Sequence, residues 1–473
     1  MPKGFDTSRP LTPQLFYQYL QCPHWIWFDS FGDQTKKQKV SELQRKLLER
    51  GVLHEEEYIQ DKDVQEVTEK DFAKAVAETT TLMEQGASRI YHGALESGRW
   101  RGRPDLLERI PGKSTFGAYQ YKPVDIKSSH SIHPPQAMQL ILYALLLEDV
   151  QGTRPDEAAI INVDHEVIPY QIEAGTVRFS ELVKKIYSIL DGKKPEPYLT
   201  RQCSETPWFS ECKRLAEETN DIALIYNIKK PGMQALRHEG ICTVTDAAWM
   251  NPDEYVGKAP GLTKRELERI QRQATALMKK EMIIKRIATM PDAPVRIYFD
   301  IEGDPFHAVE YLFGFLVEQG NAESYISFVA ESPEKEEDMW KQFLAWLPTL
   351  PEDYAVYHYA TYERSRLTML AAKYGDVPEL AVFLERLVDL AVVIRDSVVL
   401  PLYFYGLKDI AKYLGFTWSH TQAGGAQSIA WYEEWLETQD KSILETIIAY
   451  NRDDVVATKF LMEWAKGLAV PSQ

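Results

Sequence analysis

"YKPVDIKSSHSIHPPQAMQLILYALLL", residues 121–147, decides the reading of the first half of the chain. Tyr121–Ile126 has the composition of a β-strand, and Asp125 and Lys127 stand two residues apart, so on a strand their side chains share one face. The run breaks through His133-Pro134-Pro135 and becomes an apolar helix, with Gln139 and Tyr143 one turn apart. An acid and a lysine at that spacing occur by chance, as a salt-bridged pair beside a core helix. They are also what a divalent-metal hydrolase uses: carboxylates for the ion, and a lysine for the developing charge. Two neighbours weigh on the choice. "GRPDLLERI" supplies Asp105 after a Gly-Arg-Pro turn, and "RGVLHEEE" supplies His54 on an upstream helix.

Around this stretch, "SELQRKLLERGVLHEEEYIQ" is helical in period, with Leu43, Leu47 and Leu48 on one side. "GKSTFGAYQYKPVDIKSS" reads as a strand or hairpin pair, "EAAIINVDHEVIPYQIEA" as two further strands and "TVRFSELVKKIYSILDG" as a helix. A Pro-rich crossing follows. "IKKPGMQALRHEGICTVTDAAWM" then sets two short helices about a turn at Gly240, and "APGLTKRELERIQRQATALM" repeats the pattern with a longer helix. This outlines a helix-hairpin-helix-like module, a kind that meets nucleic-acid backbone through helix N-termini; a plain helical linker fits the pattern equally. "ATMPDAP" at 288–294 marks a boundary.

Beyond it, "VRIYFDIEGDP" is a strand ending in acids. "YLFGFLVEQ" and "SYISFVAE" continue an antiparallel start, before "EEDMWKQFLAWLPTL" as helix and "YAVYHYA" as strand. Strands followed by alternating helices give an α/β layered domain. Asp300 and Glu302 share a strand face, and "YNRDDVVATKFL" places Tyr450 and Asp454 one helical turn apart. Carboxylates in such number gather metal ions.

A chain of 473 residues exceeds one ordinary core, so two or three domains are expected. The polar start MPKGFDTSRP has no signal-peptide core, and the longest apolar runs are far short of a membrane span. A cytoplasmic protein without a membrane partner is the expectation. The net charge of −16 lacks the basic footprint of most nucleic-acid binders. Metal-dependent nucleases need clustered acids, however, and can confine basic groups to a groove. Residues 262–286 hold eight Lys/Arg against three Glu, which reads first as a solvated helix face.

The ordered set His54, Asp105, Asp125, Lys127, and Gln139 with Tyr143 resembles the RecB-type branch of the PD-(D/E)xK nucleases over about residues 10–215. That resemblance implies a restriction-endonuclease-like core at 1–215. It implies His54, Asp105 and Asp125 as ligands of Mg²⁺ or Mn²⁺, with Lys127, Gln139 and Tyr143 acting in catalysis. The Asp-x-Glu strand and late Tyr-x-x-x-Asp helix resemble the DEDD 3′–5′ exonucleases, which have an RNase H-like fold. This implies such a domain at 291–473, with Asp300, Glu302 and Asp454 as metal ligands and Tyr450 in catalysis. The family's middle aspartate falls on Glu363 in "YHYATYERSRL", one methylene longer, and Asp389 follows as a structural aspartate and reserve ligand. The helical module takes 216–290. The whole pairing is similar to a family of bacterial RecB-like nucleases.

Many nucleases of the RecB-type branch hold a [4Fe–4S] cluster on one N-terminal cysteine and three beyond the core. The resemblance places Cys22, Cys203 and Cys212 in those positions. Thr206 stands at the remaining one, where a cluster iron wants a thiolate. Cys242, in the helical module, reads as a core thiol. A cytoplasmic location excludes a disulfide framework.

The expectation is therefore a metal-dependent DNA nuclease, an exonuclease on single strands or strand ends, in DNA repair or defence-related end processing. No G-x4-G-K-[ST] phosphate loop occurs in these residues, so the chain either works with a separate helicase or defence-system partner or acts without a motor. Two rivals stay open. One is a nucleic-acid-binding or assembly protein with silent sites; the other is an RNase working through residues 291–473.

Overall fold

The structure, a computed structural model, describes residues 10–39, 42–305, 307–419 and 425–468. The polar stretch at residues 1–9 and the side chains of Leu43, Leu47 and Leu48 lie outside the described residues. The chain divides into two units, Met1–Leu215 and Ala216–Gln473. No helix among the described residues is long and apolar enough to cross a membrane.

In the first unit, helices α1 (Gln14–Gln21), α2 (Pro23–Phe31) and α3 (Glu42–Ile59) precede a mixed sheet. Its strands are β1 (Gln65–Glu66), β2 (Arg89–Tyr91), β3 (Leu106–Ser114), β4 (Gly117–Ile126), β5 (Glu157–Ile161) and β6 (Val167–Gln171), neighbours in that order. The expected hairpin is β3–β4, antiparallel and in register from Leu106↔Val124. β5 returns parallel to β4, with Asp125 opposite Ile160. A parallel return needs a crossover, and α4 (Pro134–Gln151) provides it.

The local chemistry of α4 explains both its ends and its burial. Pro134 and Pro135 open it at positions where a missing N–H costs nothing. The His133 N–H donates to Gln136 Oε1 at 2.7 Å, and Gly152 ends the helix at φ 70. The helix is apolar all round rather than striped, as a helix enclosed on every side must be. Met138, Leu140, Ile141, Ala144 and Leu147 all lie in the core, which α5 (Glu173–Leu190) completes from the other side with Phe179, Leu182 and Ile186. Helix α6 (Phe209–Glu218) follows.

The second unit begins with α7 (Lys230–His238) and α8 (Val244–Trp249), joined through Gly240 at φ 84, and then α9 (Lys264–Lys279). Thr243 and Thr263 cap α8 and α9 by accepting from the N–H groups of Asp246 and Glu266. A five-stranded sheet follows: β7 (Val295–Asp304), β8 (Val309–Gln319), β9 (Ala322–Val329), β10 (Tyr354–His358) and β11 (Leu387–Asp389), in the spatial order β9-β8-β7-β10-β11. β7, β8 and β9 are antiparallel, while β10 and β11 continue parallel to β7. The flanking helices are α10 (Glu336–Trp346), α11 (Tyr362–Tyr374), α12 (Leu390–Ser397), α13 (Leu407–Tyr413), α14 (Gly425–Thr438) and α15 (Lys441–Lys466).

β7 is central and covered on both faces, which is why it reads as a nearly continuous apolar run. Ile297, Phe299 and Ile301 face one core with Trp340 and Phe343. Phe299 and Phe315 stack there at 4.4 Å, a contact worth about 0.5–1.5 kcal/mol beyond burial. Tyr298 faces the other core, with Leu390, Val455 and Leu461. By alternation Asp300 falls on the Tyr298 side, where α15 lies.

Candidate active site

Asp300, Glu302 and Asp454 converge, one carboxylate oxygen from each lying within 4.8 Å of the others. The first two come from β7 and the third from α15. A register shift at Glu302/Gly303 bends the strand just where its acids project. The acids are individually fastened. Asn451 Nδ2 donates to Asp300 Oδ2 at 2.8 Å, and Asn451 Oδ1 accepts from Tyr325 at 2.8 Å. Trp418 Nε1 donates to Asp454 Oδ1 at 2.6 Å. Room for Asn451 comes from Gly314, directly across the ladder from Asp300: a Cβ there would sit 1.7 Å from Asn451 Oδ1.

Tyr450, one turn before Asp454, is buried and hydrogen-bonds to it. Lys408 on α13 donates to the Tyr450 hydroxyl at 2.5 Å and stands 3.8 Å from Asp454 Oδ2. Glu363, at the start of α11, is buried and pairs with His358 Nδ1 at 3.1 Å. It is not one of the three grouped acids, yet its charge acts on Asp300. Asp389 caps α12, one oxygen accepting from the N–H groups of Ala360 at 2.9 Å and Ala391 at 2.8 Å.

This is an excess of buried negative charge. Burial, then Glu302, Asp454 and Glu363, push the Asp300 carboxyl well above the usual range. Burial and Asp454 push Glu302 up to about 8. Burial raises Asp454 and Glu363 as well. Acids so placed favour a proton or a cation, and their oxygens form the all-oxygen set that hard divalent ions take.

Residues 297–466 match the family model of the RNase_H superfamily. The second unit thus carries an RNase H-like domain, and all the residues just named from Phe299 to Asp454 lie within it. A domain of this superfamily indicates a nuclease-type hydrolase, with nucleic acid as substrate, and the fold normally uses divalent metals. No curated protein matches the chain.

In the first unit, β4 and the turn before β3 bring Asp105, Asp125 and Lys127 together. Lys127 Nζ lies 2.9 Å from Asp105 Oδ2 and 3.5 Å from Asp125 Oδ2. Asp105 Oδ2 also accepts from the Ile126 N–H at 2.7 Å. Asp125 is fully buried, and its Oδ2 has no hydrogen-bond partner. Burial, offset in part by Lys127, raises Asp125 to about 7; burial raises Asp105 too. Tyr143 and Gln139 join this group: Gln139 Nε2 donates to the Tyr143 hydroxyl at 3.0 Å, which donates to the Arg103 carbonyl at 3.0 Å. His54 lies on α3. Its ring lies 5.2 Å from that of His165, and its buried Nε2 lacks a hydrogen-bond partner. Its neighbour Glu55 is the residue whose charge acts on Asp105 and Lys127, and it bonds His92 at 2.8 Å.

Cys22, Cys203 and Cys212 also converge, as electrostatically interacting thiols without a disulfide. Their shared hydrogen bond raises Cys22 and lowers Cys203 to about 6, where Thr200 also contacts the sulfur. Thr206 is buried, with its hydroxyl donating to the Cys203 carbonyl at 2.8 Å. The donor set is therefore one thiolate short of a [4Fe–4S] site. Cys242 is exposed rather than in the core.

Sequence spacing missed Lys408, Asn451, Trp418 and Glu55. Asn451 carried a weak signal, standing between Tyr450 and Asp454 on the same helix; the others depend on tertiary packing.

Proposed function

We propose that the chain is a metal-dependent DNA nuclease with two active sites, acting as an exonuclease on single strands or strand ends in repair or defence-related end processing. The observation that carries the reading is the buried, fastened group Asp300–Glu302–Asp454 within the RNase H-like domain. These three residues, with Glu363 nearby, would hold Mg²⁺ or Mn²⁺, which when bound supplies an activated water and charge stabilisation at the leaving oxygen. Asn451 and Trp418 keep two of the acids from turning away. Tyr450 Oη, between Lys408 and Asp454, is placed to orient a water, and the Lys408 ammonium adds positive charge beside the reacting phosphate.

The second site is the RecB-type one. Its support is the Asp105–Asp125–Lys127 cluster on a hairpin followed by a helical crossover, with Gln139 and Tyr143 alongside. Asp105 and Asp125 would be the ligands, and Asp125 Oδ2, which lies 3.5 Å from the Lys127 ammonium, has a lone pair to give an ion. Lys127 stabilises charge on the phosphate. The helical residues 216–290 would contact nucleic-acid backbone, and a separate helicase would supply unwinding.

The Glu363–His358 pair favours one other reading: a nucleic-acid-binding domain in which a middle ligand is committed elsewhere. One panel separates the readings. End-labelled single-stranded DNA, duplex DNA and RNA are incubated with Mn²⁺ or Mg²⁺ and the wild type, Lys127→Ala or Asp300→Asn. We expect each variant to lose a different cleavage pattern on DNA. Wild-type inactivity on every substrate supports the binding reading, and cleavage of RNA alone overturns DNA as substrate.

A further inference from the structure

We propose that Asp304, His307 and Glu433 form a separate binding site for a divalent transition-metal ion, best suited to Zn²⁺, which ties α14 to the β7–β8 turn. One ligand atom of each lies within 4.8 Å of the others, and the trio shares no residue with Asp300–Glu302–Asp454. Paired ions in a two-metal hydrolase lie about 3.5–4 Å apart between common ligands, so an ion here is not a partner of the catalytic one.

Three observations favour an ion over a plain salt-bridged triad. First, both acids approach the same atom. His307 Nδ1 lies 3.1 Å from Glu433 Oε1 and is hydrogen-bonded to Asp304 Oδ2. One N–H points along one line and serves one acceptor well, whereas a cation at the convergence point serves three lone pairs. Bonds of about 2.0–2.2 Å to a tetrahedral Zn²⁺ put neighbouring ligand atoms about 3.3–3.6 Å apart; the three atoms lie within 4.8 Å of one another, with His307 Nδ1 and Glu433 Oε1 at 3.1 Å, so the trio opens slightly to take an ion. Second, the group is not a surface cluster: the Asp304 side chain has no exposure, Glu433 has 14% and His307 22%. Third, another acid stands near: besides burial, Glu334 acts on the Tyr432 hydroxyl together with Asp304 and Glu433, and the Tyr432 ring stacks on Tyr311 at 4.0 Å.

The donor types set the ion. An imidazole with two carboxylates suits Zn²⁺ or Mn²⁺ and is poor for Mg²⁺, which prefers oxygen alone. The consequence follows from α14, which carries both Glu433 and Ser428. Ser428 bonds the Tyr311 hydroxyl at 2.6 Å and hydrogen-bonds to Glu302. An ion at Glu433 therefore steadies the helix that borders the catalytic acids.

The test uses the full, metal-stripped chain. Zn²⁺ binding is measured by calorimetry, and Co²⁺ serves as an optical probe, since thiolate binding adds a sulfur-to-cobalt charge-transfer band that a nitrogen–oxygen site lacks. The chains are the wild type, His307→Gln, Glu433→Gln and the triple variant Asp300→Asn/Glu302→Gln/Asp454→Asn, each checked for a wild-type circular dichroism spectrum. We expect the triple variant to keep a nitrogen–oxygen Zn²⁺ site with visible cobalt bands, beyond any ion held by Asp105 and Asp125 or by the three cysteines, whose cobalt complex the thiolate band marks, and to melt higher with Zn²⁺. Loss of a ligand costs at least the roughly tenfold seen for outer contacts, so His307→Gln and Glu433→Gln weaken that site tenfold or more. Should one variant not fold, the other decides. Equal Zn²⁺ affinity in wild type and Glu433→Gln, or loss of all nitrogen–oxygen binding in the triple variant, overturns the proposal and leaves the nuclease reading standing.

Discussion

Asp105 and Asp125 in the first unit, and Asp300, Glu302 and Asp454 in the second, are both largely buried acid groups gathered beside central strands. They differ in what balances them. Lys127 sits between the first pair, at 2.9 and 3.5 Å. In the second group Lys408 stands 3.8 Å from Asp454 and makes a nearer contact with Tyr450. The first group carries its own counter-charge; the second is underneutralised, and Glu363 adds to the excess. The same residue types thus give a cluster with a lysine built into it in one place and a cluster with a more distant one in the other.

The largest effect expected from this difference is on cleavage. Asp300→Asn removes a primary ligand and lowers Mn²⁺-dependent cleavage by the RNase H-like domain by about 10³-fold or more, beyond the 10–100-fold cost of an outer contact. Single-turnover rates on end-labelled DNA measure it.

Next comes opposite behaviour in stability. Lys127→Ala leaves two buried acids without their cation and destabilises the chain by about 3 kcal/mol. Asp300→Asn relieves repulsion and raises the melting temperature of the metal-free protein at pH above 8. Denaturant and thermal unfolding compare them; a shift of the same sign in both variants breaks the contrast.

A smaller effect tests the fastening of Asp300. Gly314→Ala drives a methyl into Asn451 Oδ1 and displaces the amide from Asp300. We expect a loss of about 10–100-fold in cleavage by the RNase H-like domain, with the Lys127-dependent pattern unchanged.

The smallest effect is on pH dependence. The Glu302 carboxyl rises from an ordinary 4.5 to about 8 on folding. Between those values the native state keeps a proton that the unfolded chain has lost. Metal-free stability therefore falls as pH rises through that window. Asp300→Asn and saturating Mn²⁺ should each flatten the slope, as denaturation curves at several pH values would show.

Much of the fold and part of the site were legible in the sequence. Strand and helix periods are local, so Asp300 with Glu302, Tyr450 with Asp454, and Gln139 with Tyr143 could be paired by spacing alone, and the expected RNase H-like domain agrees with the family match at 297–466. What spacing does not encode is rotation and docking. His54 and Glu55 are adjacent on α3, and only the helix's seating decides that Glu55 acts on Asp105 while His54 packs near His165. Asn451 reaches Asp300 because Gly314 lies across the ladder, a matter of register. Lys408 and Trp418 come from segments whose spacing gives no link to the acids.

The central claim is that Asp300, Glu302 and Asp454 gather a divalent ion for phosphodiester cleavage. It is tested most directly in a Lys127→Ala background, which silences the first unit's cluster. Cleavage of end-labelled single-stranded DNA is followed against Mn²⁺ concentration, with and without Asp300→Asn. The account predicts Mn²⁺-dependent cleavage by the Lys127→Ala chain and none once Asp300→Asn is added. Equal cleavage by the two chains, or no cleavage by Lys127→Ala at any Mn²⁺ concentration, would contradict it.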